Sequence, residues 1–308
     1  MRHRKVWLIV ALSFAVSAVV MFASPGAVAA SGASTGRTNQ VCTSASVSKS
    51  VKKVADGQAL TVVNADCTSI IYAGPVGSTV SYQVTSNSST AAFKVPNLKN
   101  RAIPPASIAD AAAFRDITAV GFSKAQAEAM IASATGEKVS SSLHSYIRIL
   151  GTPCVAIRHA NGGQATGRTC DIMTLIQRNG YNWYIGDKLT TSGHNGTWWN
   201  NLNLLRGGDS YTKGNSVVEW NPSGYQKRGS CHTVSESVGW NGSGVSSSQT
   251  VCPDGIGPSN ADPTTGFASQ WTGCSSTIQS SPGVDIIHSP PNASASNRVF
   301  LRLAWSWC

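Results

Sequence analysis

The sequence predicts a mainly β, α+β protein: an antiparallel, sandwich-like β domain stapled by disulfides, with a helical hairpin and a small N-terminal β module. Three observations point there. The first is Cys154 to Asp187, CVAIRHANGGQATGRTCDIMTLIQRNGYNWYIGD, which holds two turn signals and reads as three antiparallel strands. Asn161-Gly162-Gly163 makes a three-residue hairpin loop, where a glycine takes the left-handed position. Counting outward from Ala160 and Gln164 sets Cys154 opposite Cys170. Asn179-Gly180 reads as a two-residue loop, which sets Ile176 opposite Trp183 and Leu175 opposite Tyr184. The strand between the two loops is apolar on both faces, as an interior strand covered on each side should be.

The second observation is the hairpin from Cys231 to Cys252. A loop at Asn241-Gly242 makes its two cysteines directly opposed, within disulfide reach. The third is the last strand, RVFLRLAWSWC, which alternates strictly: Val299, Leu301, Leu303, Trp305 and Trp307 share one face.

The chain opens with the basic MRHRK, an apolar run to Ala23, a Pro-Gly break and Ala27-Val28-Ala29. That layout is expected of a cleaved secretory signal over residues 1–30. Cleavage would remove Arg2, Arg4 and Lys5, leaving 21 Lys and Arg against 14 acids and a net charge of +7 rather than +10. No later segment is apolar enough to cross a bilayer as a helix. All 8 cysteines follow the signal, an even number in an oxidising compartment, so four disulfides are expected. The expected localisation is extracellular or cell-surface.

From residue 31 to 95, Val and Ile alternate with Ser and Thr, and Asp56-Gly57 reads as a hairpin between VKKV and QALTVV. This stretch is the expected small β module. Residues 96–139 read as a linker and a helical hairpin. Ser107 is placed to cap the first helix, and Ser123 with Gln126 makes a capping box for the second. Ala127, Met130, Ile131 and Ala134 form one apolar stripe, and Gly121-Phe122 is a tight corner. A pair of helices with a glycine corner also fits a DNA-binding helix-turn-helix. The second helix carries Lys124 and Glu128 and no Arg, so an alanine-rich pair packed on a sheet is the preferred reading. Residues 140–308 read as the larger antiparallel β domain, with Val251 to Pro263 as a loop.

The cysteines read as structural, because no CxxC-type spacing for zinc is present. Cys154–Cys170 and Cys231–Cys252 follow from hairpin register. Cys42–Cys67 and Cys274–Cys308 are favoured for the remaining four. No G-x-S-x-G elbow or H-E-x-x-H motif occurs, and the S-x-x-K matches at Ser46 and Ser50 lack a K-T-G partner. Glu236 shares a strand face with Val234, Val238 and Trp240, where burial would raise its pKa. Asp209, Asp254 and Asp262 are the acids with a metal or turn reading. No cofactor is expected.

Trp198 and Trp199 are adjacent, so on a strand at most one enters a given core. Burial is the commoner fate of Trp. A ring left outside, with His194, Asn200 and Asn201 beside it, would form a platform for a sugar ring. Trp198, Trp199, His194 and Asn200 are therefore the candidate binding residues. The positive charge would suit an acidic polymer, but with no dense Lys/Arg run it reads as ordinary solubility. The expected function is a secreted, non-enzymatic binding or surface-interaction protein, with cell-envelope polysaccharide or another extracellular protein as partner and nucleic acid disfavoured. The alternatives are a secreted hydrolase using Glu236 or Asp209 with a His, and a purely structural protein.

Overall fold

The computed structural model describes residues 49–306, apart from 56, 65–66, 136–145, 160–164, 179–181, 196–200, 228–231, 241–242, 252–254, 260–264, 276–278 and 291–294. For several strands, notably those over 182–195 and 232–251, it describes the backbone alone. Five strands come first: β1 (Lys49–Lys53), β2 (Leu60–Val63), β3 (Ser69–Ala73), β4 (Thr79–Val84) and β5 (Ser88–Val95). A 3-10 turn at Leu98–Asn100 leads to α1 (Ala106–Ala119) and α2 (Lys124–Thr135). Then follow β6 (Tyr146–Gly151), β7 (Cys154–His159), β8 (Ala165–Arg178), β9 (Asn182–Asn195), β10 (Asn201–Tyr211), β11 (Ser216–Asn221) and β12 (Gln226–Lys227). The last are β13 (His232–Trp240), β14 (Ser243–Val251), β15 (Gly255–Pro258), β16 (Ala268–Ser275), β17 (Gln279–Ser289) and β18 (Asn297–Ser306).

Two sheets face each other. Sheet A runs β1-β4-β5-β18-β10-β16-β15-β12, and sheet B runs β11-β17-β9-β8-β7-β3-β2 with β6 also on β8. Every pairing between the strands of the two sheets is antiparallel. The main core lies between the sheets and includes Tyr72, Phe93, Val155, Met173, Leu205, Trp271, Leu301 and Leu303. A second core lies on the far side of sheet B, where Ile71, Ala156 and Ile172 meet Ala113, Ile117, Phe122, Ala127 and Met130 of the helical pair. β8 serves both: Ile172 belongs to the helix-side core and Met173 to the inter-sheet core, which accounts for a strand apolar on both faces. The β13–β14 hairpin lies against β17, β9 and α2, so sheet B is covered on its outer side as well.

The expected N-terminal module is corrected by this topology. β5 pairs with β18 and β3 pairs with β7, so strands of the 31–95 stretch are shared into both sheets rather than closing on themselves. The expected hairpin at Asp56-Gly57 is not one: β1 pairs with β4 in sheet A while β2 pairs with β3 in sheet B. A two-residue signal identifies a reversal but not which sheet receives the next strand. The meander register is also shifted by one. Arg178 pairs with Asn182, so the connection has three residues, and Ile176 faces Tyr184 and not Trp183. Such a slip exchanges the faces of a whole strand. Gly255–Pro258 is a strand where the sequence read loop.

The first helix begins one residue before the expected cap. Pro105 occupies the N-cap without a side-chain bond, and Ser107 lies inside the first turn. The chain ends α1 in a Schellman turn: Phe122 N donates to Ile117 O, and Gly121 N donates to Thr118 O, with Gly121 at φ +100°. Arg158 of β7 and Arg168 of β8 donate to the Val120 and Gly121 carbonyls, placing positive charge at the negative end of the helix. Arg168 also lies over the Phe122 ring, 5.3 Å from its centroid. Glycine is required at 121 both by its positive φ and by the close guanidinium of Arg158.

The capping box of α2 is formed in both directions. Gln126 N donates to Ser123 Oγ at 3.2 Å, and Ser123 N donates to Gln126 Oε1 at 3.0 Å. Ser123→Ala is expected to cost about 1 kcal/mol, read from urea denaturation. A loss near zero would mean that packing of Ala127 and Met130 alone sets the start of α2.

Cys154 pairs with Cys170 in the β7–β8 ladder and forms the expected disulfide. The β13–β14 ladder has His232 opposite Val251, the register in which Cys231 and Cys252 come next, though both lie outside the described residues. Cys67 and Cys274 are also disulfide-bonded. Their expected partners, Cys42 and Cys308, lie outside the described residues.

Candidate binding face

Trp198, Trp199 and Asn200 lie outside the described residues. His194 stands on β9 opposite Thr166. Asn201 opens β10, and its side-chain amide donates to Cys274 Sγ at 3.3 Å. Glu236 sits opposite Ser247 in the β13–β14 hairpin, and Asp254 and Asp262 lie outside the described residues. Asp209 is not in a turn. It is buried in the interior of β10, where its Oδ1 accepts from Phe267 N at 3.0 Å. That carboxylate holds two segments together and faces the inter-sheet core, away from solvent. Among the described residues no cluster of His, Cys, Asp or Glu is placed to hold a metal.

The structure assembles a different surface, the outer face of sheet A. Strand alternation decides which side chains it carries: in β18, Asn297, Val299, Leu301, Leu303 and Trp305 are buried, so Arg298, Phe300 and Arg302 point outward. Ladder partners share a face, which gives three cross-strand rows. One runs Lys53, Thr79, Lys94, Arg298, Ser210. The middle row runs Ser81, Ala92, Phe300, Gly208, Ala268. The third runs Gln83, Thr90, Arg302, Arg206, Gln270, Gly257. The two charged rows are four residues apart along the strands, about 13 Å.

Two aromatic rings lie against this face over glycines. A Cβ on Gly208 would come within 2.7 Å of Phe300 Cζ, so the ring is seated where no side chain rises beneath it. Ala92 and Ala268, neighbours of that seat, are buried although they point outward. Tyr225 covers Gly255 and Gly257 of β15, is 55% exposed, and its hydroxyl is 3.0 Å from Thr272 Oγ1. The absence of a Cβ at these positions is what lets each ring approach the backbone so closely.

The electrostatics are one-sided. Lys53, Lys94, Arg298 and Arg302 are exposed and Arg206 is half-buried. Asp209, the one acid on any strand of sheet A, faces inward. Lys94 stands directly opposite Arg298, and Arg206 directly opposite Arg302. Like charges so placed destabilise a sheet. Burial, and secondarily Arg302, pulls the Arg206 guanidinium below its usual pKa. Arg206 is held in place by Gln270 Oε1, which accepts from Nη2 at 2.6 Å and Nε at 3.0 Å. Among the described residues no helix or strand lies over this face.

The sequence signal for these residues was alternation alone. Residues 53, 94, 206, 298 and 302 are too far apart in the chain to read as a patch. No protein-family model matches the chain, and no curated protein matches its sequence. Among the described residues no helix is long and apolar enough to cross a membrane.

Proposed function

We propose that this is a secreted, non-enzymatic binding protein that holds an anionic cell-envelope polysaccharide on the outer face of sheet A. The observation that carries the reading is the pairing of two flat rings, Phe300 and Tyr225, with five cations and no acid among the described side chains of that one face. Flat aromatics seat the apolar faces of sugar rings, and the cations meet carboxylates or phosphates. The Thr, Ser and Gln side chains between them suit hydroxyl groups.

The charge spacing favours a sugar polymer over nucleic acid. Each strand of a DNA duplex carries a phosphate roughly every 3.4 Å of helix axis, whereas the basic rows here stand about 13 Å apart. A polymer whose acid groups are separated by neutral rings fits that interval. A purely structural role gives no reason for two directly opposed like-charge pairs, which cost stability.

The test is retention of the signal-free protein on insoluble cell-wall polymer, before and after its anionic component is stripped, with release of reducing ends assayed in the same tubes. Lys94→Gln/Arg298→Gln/Arg302→Gln should weaken binding roughly tenfold or more at low salt, and Tyr225→Ala should weaken it independently of salt. Arg302→Gln alone should raise stability by about 0.2–1 kcal/mol by relieving the pair with Arg206, which separates lost binding from lost fold. Retention that ignores both the anionic component and these substitutions would overturn the reading. Release of reducing ends would make the protein a hydrolase, and tighter binding of a DNA duplex would redirect it to nucleic acid.

A further inference from the structure

A second site stands on the other side of the molecule and is independent of the sheet A reading. A cavity of about 180 Å³ opens between α1, the β3–β4 turn and the β6–β7 turn. Ile108, Ala109, Ala112 and Ala113 of α1 line one wall, and Pro75 and Val76 line another. Part of its rim is apolar and open to solvent, with Ile108 61% exposed and Val76 54% exposed, and Arg115 stands beside them. Isolated exposed aliphatics are ordinary, but two on the lip of one cavity mark a place for an apolar body.

Two polar features at the base are incompletely matched. Arg101 reaches into the lining, and among the described residues its side chain makes one hydrogen bond, a long one of 3.5 Å from Nη1 to the Leu150 carbonyl. It has no ion pair among the described residues, although burial pulls its pKa down and so penalises its charge. The acid in the same lining, Asp116, is already engaged by Arg115 at 3.2 Å. Thr152 also lines the cavity, is 1% exposed, and its hydroxyl has no hydrogen-bond partner among the described residues. Gly151 makes room for the arrangement: a Cβ there would strike Pro75 Cγ at 2.7 Å and crowd Arg101 Nη1 at 3.3 Å. A half-buried cation without a counter-charge and a buried hydroxyl without a partner are both costly, and an anion seated between them would satisfy both.

We infer that this cavity binds a small monocarboxylate, with its aliphatic or aromatic body against Ile108, Ala112 and Val76 and its carboxylate on Arg101 within reach of Thr152. An apolar cavity of roughly 150 Å³ accommodates benzene, so the space suits a short branched or cyclic skeleton bearing one acid group. Asp116 lines the same cavity, which disfavours a dianion and favours a single negative charge.

Titration of the full signal-free chain with sodium isovalerate, followed through the methyl resonances of Ile108 and Val76, tests the site, with isovaleramide as the neutral match. Saturable shifts with isovalerate, and at least tenfold weaker binding of the amide, are expected. Arg101→Gln should bring the acid down to the level of the amide, and Ala112→Leu, which fills the cavity and keeps the charge, should abolish both. Equal binding of acid and amide to the native protein would overturn the inference, as would isovalerate binding that survives Arg101→Gln, or no saturable shift from either compound in a folded native sample.

Discussion

Trp271→Ala should destabilise the protein by about 3–5 kcal/mol, the largest effect expected of any single substitution in the inter-sheet core. Trp271 is fully buried in β16 and is the largest such side chain among the described residues. The ladder sets it between Leu205 of β10 and Ile256 of β15, both fully buried in the same core. Removing the ring leaves a hole bounded by two sheets whose backbones are held in register by their own hydrogen bonds, so collapse around it is limited. The shift should appear in the urea midpoint without a change in slope, because the fold and its exposed area on unfolding stay the same. A cost below about 1 kcal/mol would mean that the β16 end of the sandwich relaxes freely, at odds with a shared core. Because β16 also supplies Gln270, which holds Arg206, the variant should weaken the proposed polymer binding as well.

Cys154→Ala/Cys170→Ala should cost about 3 kcal/mol by the chain-entropy account, since the bridge spans a sequence separation of 16. Both sulfurs are fully buried beneath the helical pair, so lost packing adds to the loss of the cross-link. The bond joins directly opposed residues of adjacent strands, and residual hairpin structure in the unfolded chain would reduce the entropic part. Its burial has a second consequence. A mild reductant should leave the bridge intact in the native protein and break it only under partly unfolding conditions, as thiol trapping with mass measurement would show. Rapid reduction of the native fold, with no change in stability, would mean that the β7–β8 ladder opens locally and that the bridge contributes little.

Much of the architecture was legible before any coordinates. Residues 154 and 170 follow from the length of one hairpin loop, because antiparallel partners have a constant sum of positions. The capping box at Ser123 and the stripe of Ala127, Met130 and Ala134 follow from helical period. The burial of Val299, Leu301, Leu303 and Trp305 follows from the period of two. Each is a local rule acting within a few residues. The misreadings sit where a local signal needs a distant partner. Asp56-Gly57 marks a reversal, yet β2 crosses to the other sheet because β3 beside it pairs with β7, where Ile71 meets Ala156 far along the chain. Asn179-Gly180 allows a two- or a three-residue connection, and the pairing of β9 with β17 along the other edge goes with the three-residue choice.

By itself the sequence determined a β-rich chain with cysteine staples, a capped helical pair and alternating strands, because those properties depend on neighbours in the chain. Only the tertiary structure decided that Lys53, Lys94, Arg206, Arg298 and Arg302 share one face, because β1, β4, β5, β18 and β10 become neighbours through pairing alone. The same pairing places glycines beneath Phe300 and Tyr225, and the packing of α1 on sheet B brings Arg101 and Thr152 to one cavity. The physical reason is range: dihedral preference and periodicity act over a few residues, whereas a binding face is a sum of side chains whose sequence separations bear no relation to their distances in space.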